Sequence, residues 1–469
     1  MLKFTLLNEK NLKRVQKYTK DSPYLVCDIS AGVLYMWNDV FNVSFAIFND
    51  TLILKCCFKN KFTAFFLPVG KDVSGALLEI ERYAESKHIP LNFMCVEEEY
   101  LSMLEDRYGE DIKSEYDRDF SDYIYDYQRL KTLVGKKFSG QRNHVNAFKK
   151  AYPNYKFKKL EYKDVPRVLE FLKEYKKEHK SSGRIEKNEF KNTLMLVNNL
   201  KVANFIGYYM EIDGKTCSFT IGEYVGGTLV IHIEKALKEY RGIYPTTFNE
   251  FLKACEREGV VYINREDDSG DLGLRKSKLN YLPWQVANKY SIEVNLAIDS
   301  VKKLPILNTE RLTLCEVKEK DAPDYANLAK DLNLNKHWGY DWQKDFKDGE
   351  PEDIWFLKSA RSDFKKKEEM PLGIYLQNVL IGEVVLHNFG YSQDAEIGVR
   401  LLQKYQGQGF AKEALYAYMR YAFSELNLEK IHAKCFKQND ASAKSLQSAG
   451  LRKIGEDDTY FYFLKTPAM

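Results

Sequence analysis

The sequence predicts an α+β chain built from three similar strand-and-helix units, and three observations predict it. A length of 469 residues holds two or three domains of ordinary size. The first 300 residues echo themselves, each half opening on a short strand and a Lys-rich helix. Near the C-terminus a glycine-opened turn, Gln406-Gly407-Gln408-Gly409-Phe410-Ala411, joins a strand-like run to an amphipathic helix. The units are expected over residues 1–150, 151–300 and 304–469.

In chain order, Phe4-Thr5-Leu6-Leu7 reads as a strand and 9–20 as a helix, followed by strand-like runs at 43–47, 51–58 and 62–68. A helix over 121–150, broken near Ser139-Gly140, is expected to join the halves. The second half repeats the order with a strand at 157–160, a helix at 165–179 and strands at 205–212, 218–224 and 228–234. In the last unit, strands at 371–376 and 380–387 flank a turn at Asn378, and 395–402 forms a third. The helix after the glycine turn carries Ala411, Leu415, Tyr418, Ala422 and Leu426 at steps of four and three, one buried face. Ile431, Ala433 and Cys435 alternate as a strand, Asn439-Asp440-Ala441-Ser442 starts a helix, and Gly450 stops it. Residues 460–464 form a last strand.

A hydrophobic content of 44% and a charged content of 29% place the chain among soluble globular proteins. No stretch reaches the roughly 18 apolar residues of a membrane span, and the N-terminus lacks a signal-peptide core, so cytoplasmic residence is expected. The eight cysteines show no CxxC pair and no metal-ligand spacing; buried reduced thiols and no metal are expected. Residues 304–469 carry 23 basic and 25 acidic groups, so the small net charge of +4 hides a positive excess before them. That excess gathers in Lys136, Lys137, Arg142, Lys149, Lys150, Lys156, Lys158 and Lys159, interleaved with Phe138, Phe148, Tyr152 and Tyr155. Such a stretch suits a nucleic-acid backbone, although a solvated helix face over core aromatics is the plainer account.

In the hexapeptide, glycines without Cβ atoms let backbone amides turn toward a pyrophosphate, with a helix dipole behind them. The strand, loop and helix order around it resembles the GNAT acyl-CoA N-acyltransferases, in the branch that acetylates ribosomal-protein N-termini. Leu307-Asn308-Thr309-Glu310-Arg311-Leu312-Thr313-Leu314, Ile381-Gly382-Glu383, Ala395-Glu396-Ile397-Gly398, Asn439-x-x-Ser442 and Ala449-Gly450-Leu451 carry the likeness. The resemblance implies acetyl-CoA as co-substrate, transferred to the primary amine of a small molecule or peptide. It implies that Gln406, Gly407, Gln408, Gly409, Phe410 and Ala411 cradle the pyrophosphate. The backbone through Leu401 and Leu402 would run along the pantetheine arm, and Asn439 would contact the pantetheine or thioester region. Ser442 is the candidate proton donor to the leaving thiolate, with a plain first-turn serine as the alternative. Glu396 is the candidate base, with Glu383 and His387 beside it. Tyr460 and Tyr462 stand near, and His337-Trp338-Gly339-Tyr340-Asp341-Trp342 suggests an aromatic wall for the acceptor.

Two further blocks lie upstream: Ser139-Gly140-Gln141-Arg142-Asn143-His144, and Asn264-Arg265-Glu266-Asp267-Asp268 running through Arg275 and Lys278. Together they resemble the soluble catalytic region of phosphatidylglycerol lysyltransferases, which has tandem GNAT-like halves. That likeness implies a ligand site from Arg142, Asn143, Arg265, Glu266, Asp267, Arg275 and Lys278, with tRNA or another anionic ligand as partner. The alternative functions are an aminoacyl-tRNA-dependent aminoacyl transferase, or a non-catalytic tRNA- or anion-binding module attached to the acetyltransferase. At the position of a phosphate loop, Tyr240-Arg241-Gly242-Ile243-Tyr244-Pro245 has one glycine and a proline without a donor, so acyl-CoA is not expected there.

Overall fold

The structure, a computed structural model, describes residues 2–58, 62–109, 112–178, 184–338, 342–346 and 352–467. The chain divides into two compact units, Met1–Leu104 with Lys113–Glu293, and Glu105–Ile112 with Val294–Met469. Three mixed sheets share one arrangement. Antiparallel strands come first, then a helix carries the chain to a parallel neighbour, as parallel pairing demands a crossover. In the first sheet Ser44–Phe48, Thr51–Phe58 and Phe62–Phe65 precede the parallel strand Leu91–Glu97. In the second, Ile206–Ile212, Lys215–Val225 and Thr228–Ala236 precede Tyr262–Asn264. In the third, Glu369–Leu376, Val379–Gly390 and Asp394–Leu401 precede Lys430–Phe436.

The expected helix over 121–150 is instead a strand, Asp122–Asp126, followed by helices Tyr127–Thr132 and Ser139–Ala151. Tyr123, Ile124 and Tyr125 are all fully buried, so the strand lacks the alternation that betrays a half-exposed one. It lies beside Tyr262–Asn264 in the second sheet, and the core of that sheet takes Tyr123, Tyr127, Leu130 and Phe138 against Leu229, Phe248 and Phe251. The Lys289–Val294 strand passes back into the first sheet, next to Leu91–Glu97. The basic stretch follows the plainer account: Phe138 and Phe148 are core, and Lys149 and Lys158 pair with Glu250 and Glu211.

In the second unit the Phe410–Ser424 helix buries Ala414, Leu415, Tyr418, Met419 and Ala422 against the sheet, and the Tyr418 hydroxyl donates to the Met370 carbonyl at 2.7 Å. The Asp440–Ser448 helix begins at Asn439, whose Oδ1 accepts from Ser442 N at 3.1 Å. It closes at Gly450, with Leu451 N donating to Leu446 O. Not predicted from the sequence are the strands Leu307–Asn308, Leu312–Cys315, which pairs with Glu369–Leu376, and Arg452–Glu456, an edge strand too exposed to show an apolar pattern.

Candidate active site

The Asp394–Leu401 strand pairs with Lys430–Phe436 only from Asp394 to Glu396. Beyond Glu396 that edge has no strand partner among the described residues, although its other edge stays paired through Leu401. A cavity of about 890 Å³ opens there, lined by Glu396, Ile397, Gly398, Val399, Arg400 and Leu401 along the strand. Gln406, Gly407, Gly409, Phe410 and Ala411 line one end, and Asn439 and Ser442 line the facing side. An unpaired strand edge offers main-chain donors and acceptors to any extended chain laid along it.

The turn is built for close approach. Gly407 and Gly409 adopt φ of 73° and 82°, where a Cβ would be strained, and Gly409 caps the Phe410–Ser424 helix. The first intrahelical bond runs from Glu413 N to Gly409 O at 3.1 Å, so the amides of Gly409 to Lys412 lie ahead of it. Arg311 braces the turn from behind: it bonds Gln408 O at 3.1 Å, pairs with Glu413 at 2.6 Å and stacks on Phe410. Two expected contacts stand apart from the cavity. Leu402 gives its amide to Ile381 O and packs its side chain against the cluster of Tyr325, Ala329 and Phe356. The Gln408 side chain folds back to Lys404 O at 3.0 Å.

At the other end, polar side chains form a row across adjacent strands. Glu369 faces His387, and His387 faces Glu396. Glu396 has both oxygens engaged, by Lys434 at 3.2 Å and by Asn388 at 3.1 Å. Glu383 is 4% exposed and held by Arg400 at 2.7 Å and by the Tyr325 hydroxyl. Burial holds His387 below the usual imidazole range, against the opposing pull of Glu396. Glu369 was missed from sequence; burial, then repulsion from Glu383 and Asp363, pushes its carboxyl up to about 7. The aromatic wall is present in part: Trp338 lies against Gly398, where a Cβ would meet its ring at 3.1 Å, and Arg400 sits over it. Residues 339–341 of that motif lie outside the described residues. Tyr460 lines the cavity, whereas Tyr462 turns its hydroxyl to Asp457 at 2.6 Å.

The first unit holds a buried polar cluster where its two sheets meet. His232, with a fully buried side chain, bonds Glu266 through Nδ1 at 2.8 Å and Glu223 through Nε2 at 3.0 Å. Burial would lower its pKa, but the two carboxylates outweigh it and raise it to about 9. Glu223 also accepts from Gly32 N at 2.5 Å, and a Cβ on Gly32 would stand 2.3 Å from the imidazole, so only glycine fits. Cys27, Asp28 and Asp122 converge as metal ligands do, but the Lys289 ammonium sits among them, 2.5 Å from Asp28 and 2.8 Å from Asp122. Lys278 donates to the carbonyls of Arg265 at 2.7 Å, Glu266 at 3.2 Å and Asp267, and Arg265 pairs with Glu234 at 3.1 Å. Arg275 grips fully buried Asp268 at 2.7 Å and Asp119 at 2.5 Å. Of the expected ligand residues, Arg265, Glu266, Asp267 and Lys278 gather here, with Arg275 as an anchor. Arg142 instead caps the Tyr127–Thr132 helix through Leu133 O and Gly135 O, and Asn143 follows it on the Ser139–Ala151 helix. Glu223 and His232 gave no sequence signal, since they lie on different strands and meet each other and Glu266 only in the fold.

A family model described as phosphatidylglycerol lysyltransferase, C-terminal, matches residues 22–293, and one described as acetyltransferase (GNAT) domain matches 311–452. The chain is similar to the uncharacterized N-acetyltransferase YnaD of Bacillus subtilis, 27% identical over 154 residues, covering 32% of this chain and 84% of that protein. It is similar to the uncharacterized N-acetyltransferase YoaA of the same organism, 27% identical, covering 35% of this chain and 92% of that protein. A crystal structure of a conserved protein of unknown function from Bacteroides thetaiotaomicron, 29% identical, covers 63% of this chain and 100% of its own with a TM-score of 0.59. Among the described residues no helix is long and apolar enough to cross a membrane.

Proposed function

The chain belongs to the phosphatidylglycerol lysyltransferase, C-terminal, family and carries a GNAT N-acyltransferase domain, and from that premise we propose that it transfers an acetyl group from acetyl-CoA to a primary amine. The observation that carries this is the unpaired strand edge, with a glycine-capped helix start at one extremity and a polar row at the other. From Glu396 to Leu401 the strand spans roughly 17 Å at its usual rise, a length suited to an extended pantetheine arm. In this reading Gln406 to Ala411 hold the diphosphate, with Gln408 contributing its backbone. Leu401 and its neighbours pair with the pantetheine amides, and Asn439 faces the thioester. Ser442 supplies the proton to the departing thiolate. Glu396, tied to Lys434 and Asn388, shapes the acceptor end and is not the free base expected of it. Transfer then rests chiefly on positioning two substrates in one water-poor cleft. Titration calorimetry with acetyl-CoA tests the assignment: binding that is lost in Gly409→Val is expected, and no binding by the natural sequence overturns it.

A second activity is favoured by the buried His232 cluster in the first unit. The repeated strand order supports a tandem pair of GNAT-like halves, and the Tyr240–Pro245 turn, capped by Gly242 at φ of 87°, lacks the second glycine of an acyl-CoA loop. We assign this unit to aminoacyl transfer from tRNA rather than to passive anion binding. Transfer of the aminoacyl group from charged tRNA to an amine is the expected result; binding that weakens steeply with salt, with no transfer, supports the passive module instead.

A further inference from the structure

We propose that Glu369 is the catalytic base of the acetyl-transfer site, taking the proton from the acceptor amine. The inference rests on the acetyl-CoA reading and adds to it the group that makes the amine nucleophilic.

Four carboxylates among the described residues line the cavity: Asp363, Glu369, Glu383 and Glu396. Three have partners. Glu383 is locked to Arg400 and Tyr325, Glu396 to Lys434 and Asn388, and Asp363 to Lys366 at 3.6 Å. The Glu369 carboxylate has neither an ion pair nor a hydrogen bond from any described residue, although the residue is only partly exposed. An uncompensated carboxylate in a half-buried cleft is costly unless something cationic or protic arrives to meet it. It opens the Glu369–Leu376 strand on the face that also presents Pro371, Val385 and Gly398 to the cavity, in the row that ends the acyl-donor edge.

The charged and titratable groups facing it are Glu383 and His387 from the next strand, Arg400 from the third, Asp363 from the Asp353–Lys365 helix, and Glu368 beside it. Burial and the negative neighbours raise its pKa to about 7, against the pull of Arg400, so near neutrality about half of it is ionised and able to accept a proton. The step balances simply. Glu369 takes one proton from the acceptor ammonium, and the neutral nitrogen attacks the thioester carbonyl carbon. The C–N bond forms as the C–S bond breaks, Ser442 gives its proton to the CoA sulfur, and the nitrogen's surplus proton replaces it on Ser442.

The test follows thiol release from acetyl-CoA with an equimolar mixture of amino-acid amides and aliphatic diamines as acceptors. Glu369→Gln is expected to lose on the order of 10²–10⁴-fold in rate while keeping the natural acetyl-CoA affinity by calorimetry. The natural enzyme's rise in rate through pH 7 is expected to vanish in Glu369→Gln and to survive in Glu369→Asp and in Glu396→Gln. A Glu369→Gln variant with the natural rate, or with the same acidic limb, overturns the proposal. So does loss of acetyl-CoA affinity in that variant, since a base has no part in holding the donor. A natural enzyme that binds acetyl-CoA but acetylates nothing in the mixture overturns the base role alone. One that does not bind acetyl-CoA overturns the reading beneath it.

Discussion

Single residues shape both the glycine turn and the buried His232 cluster. Gly409 combines a left-handed φ of 82° with a Cβ position 3.4 Å from the Arg311 guanidinium. Gly409→Val is therefore expected to displace the amides assigned above to the diphosphate and to reduce acetyl-CoA affinity below detection by calorimetry. His232 makes a prediction of opposite kind, in stability. Its folded pKa of about 9 lies above the ordinary imidazole value of about 6.5. The native state thus holds its proton more tightly than the unfolded chain does. The resulting stabilisation, roughly 3 kcal/mol, is fully present below about pH 6.5 and is lost as pH rises through 9. Urea unfolding between pH 6 and 9.5 reads this directly, and a flat profile contradicts the buried Glu223–His232–Glu266 bridge.

Elements explain which parts of the site could be read in advance. The turn at 406–411, the helix behind it, and the Asn439 and Gly450 caps are local signals, each decided by a few neighbouring residues. All four appear where the pattern put them. The Asp122–Asp126 strand does not, because a strand covered on both faces carries no period of two, and its tyrosines run straight into a helix. Glu369 was invisible for a deeper reason: its raised pKa comes first from burial and then from Glu383 and Asp363 on two other elements, brought together only by the fold. Arg275 shows the reverse error. Its place in a dense polar segment suggested a ligand contact, yet it neutralises Asp268, whose carboxyl it helps hold at about 2 against the opposing effect of burial. Arg275→Ala leaves that buried carboxylate to the Tyr123 hydroxyl, Gly270 N and the more distant Arg118 at 3.7 Å. It is expected to cost about 1.5–3 kcal/mol in denaturant unfolding, and an unchanged stability contradicts the anchoring role.

At the scale of the whole molecule, each of the two units has its own sheet system and its own core. A ligand acts on the stability of the unit that binds it. Acetyl-CoA at a hundred times its Kd is expected to stabilise the Val294–Met469 unit by about 2.7 kcal/mol. Hydrogen exchange should show the slowing in the Phe410–Ser424 helix and the Asp394–Leu401 strand, and in Gly409→Val it should disappear. Slowing confined to the strands of the first unit contradicts the site assignment. The positive excess lies before residue 304 and the slight negative one after it.

The half-zipped pairing beside Glu396 has a pharmacological corollary. A ladder left open in mid-sheet recognises backbone, not side chains, so an extended oligoamide of modest length should seat there as a competitive inhibitor. Decorating such a scaffold with an anion at one tip and an ammonium at the other would address both extremities of the groove at once.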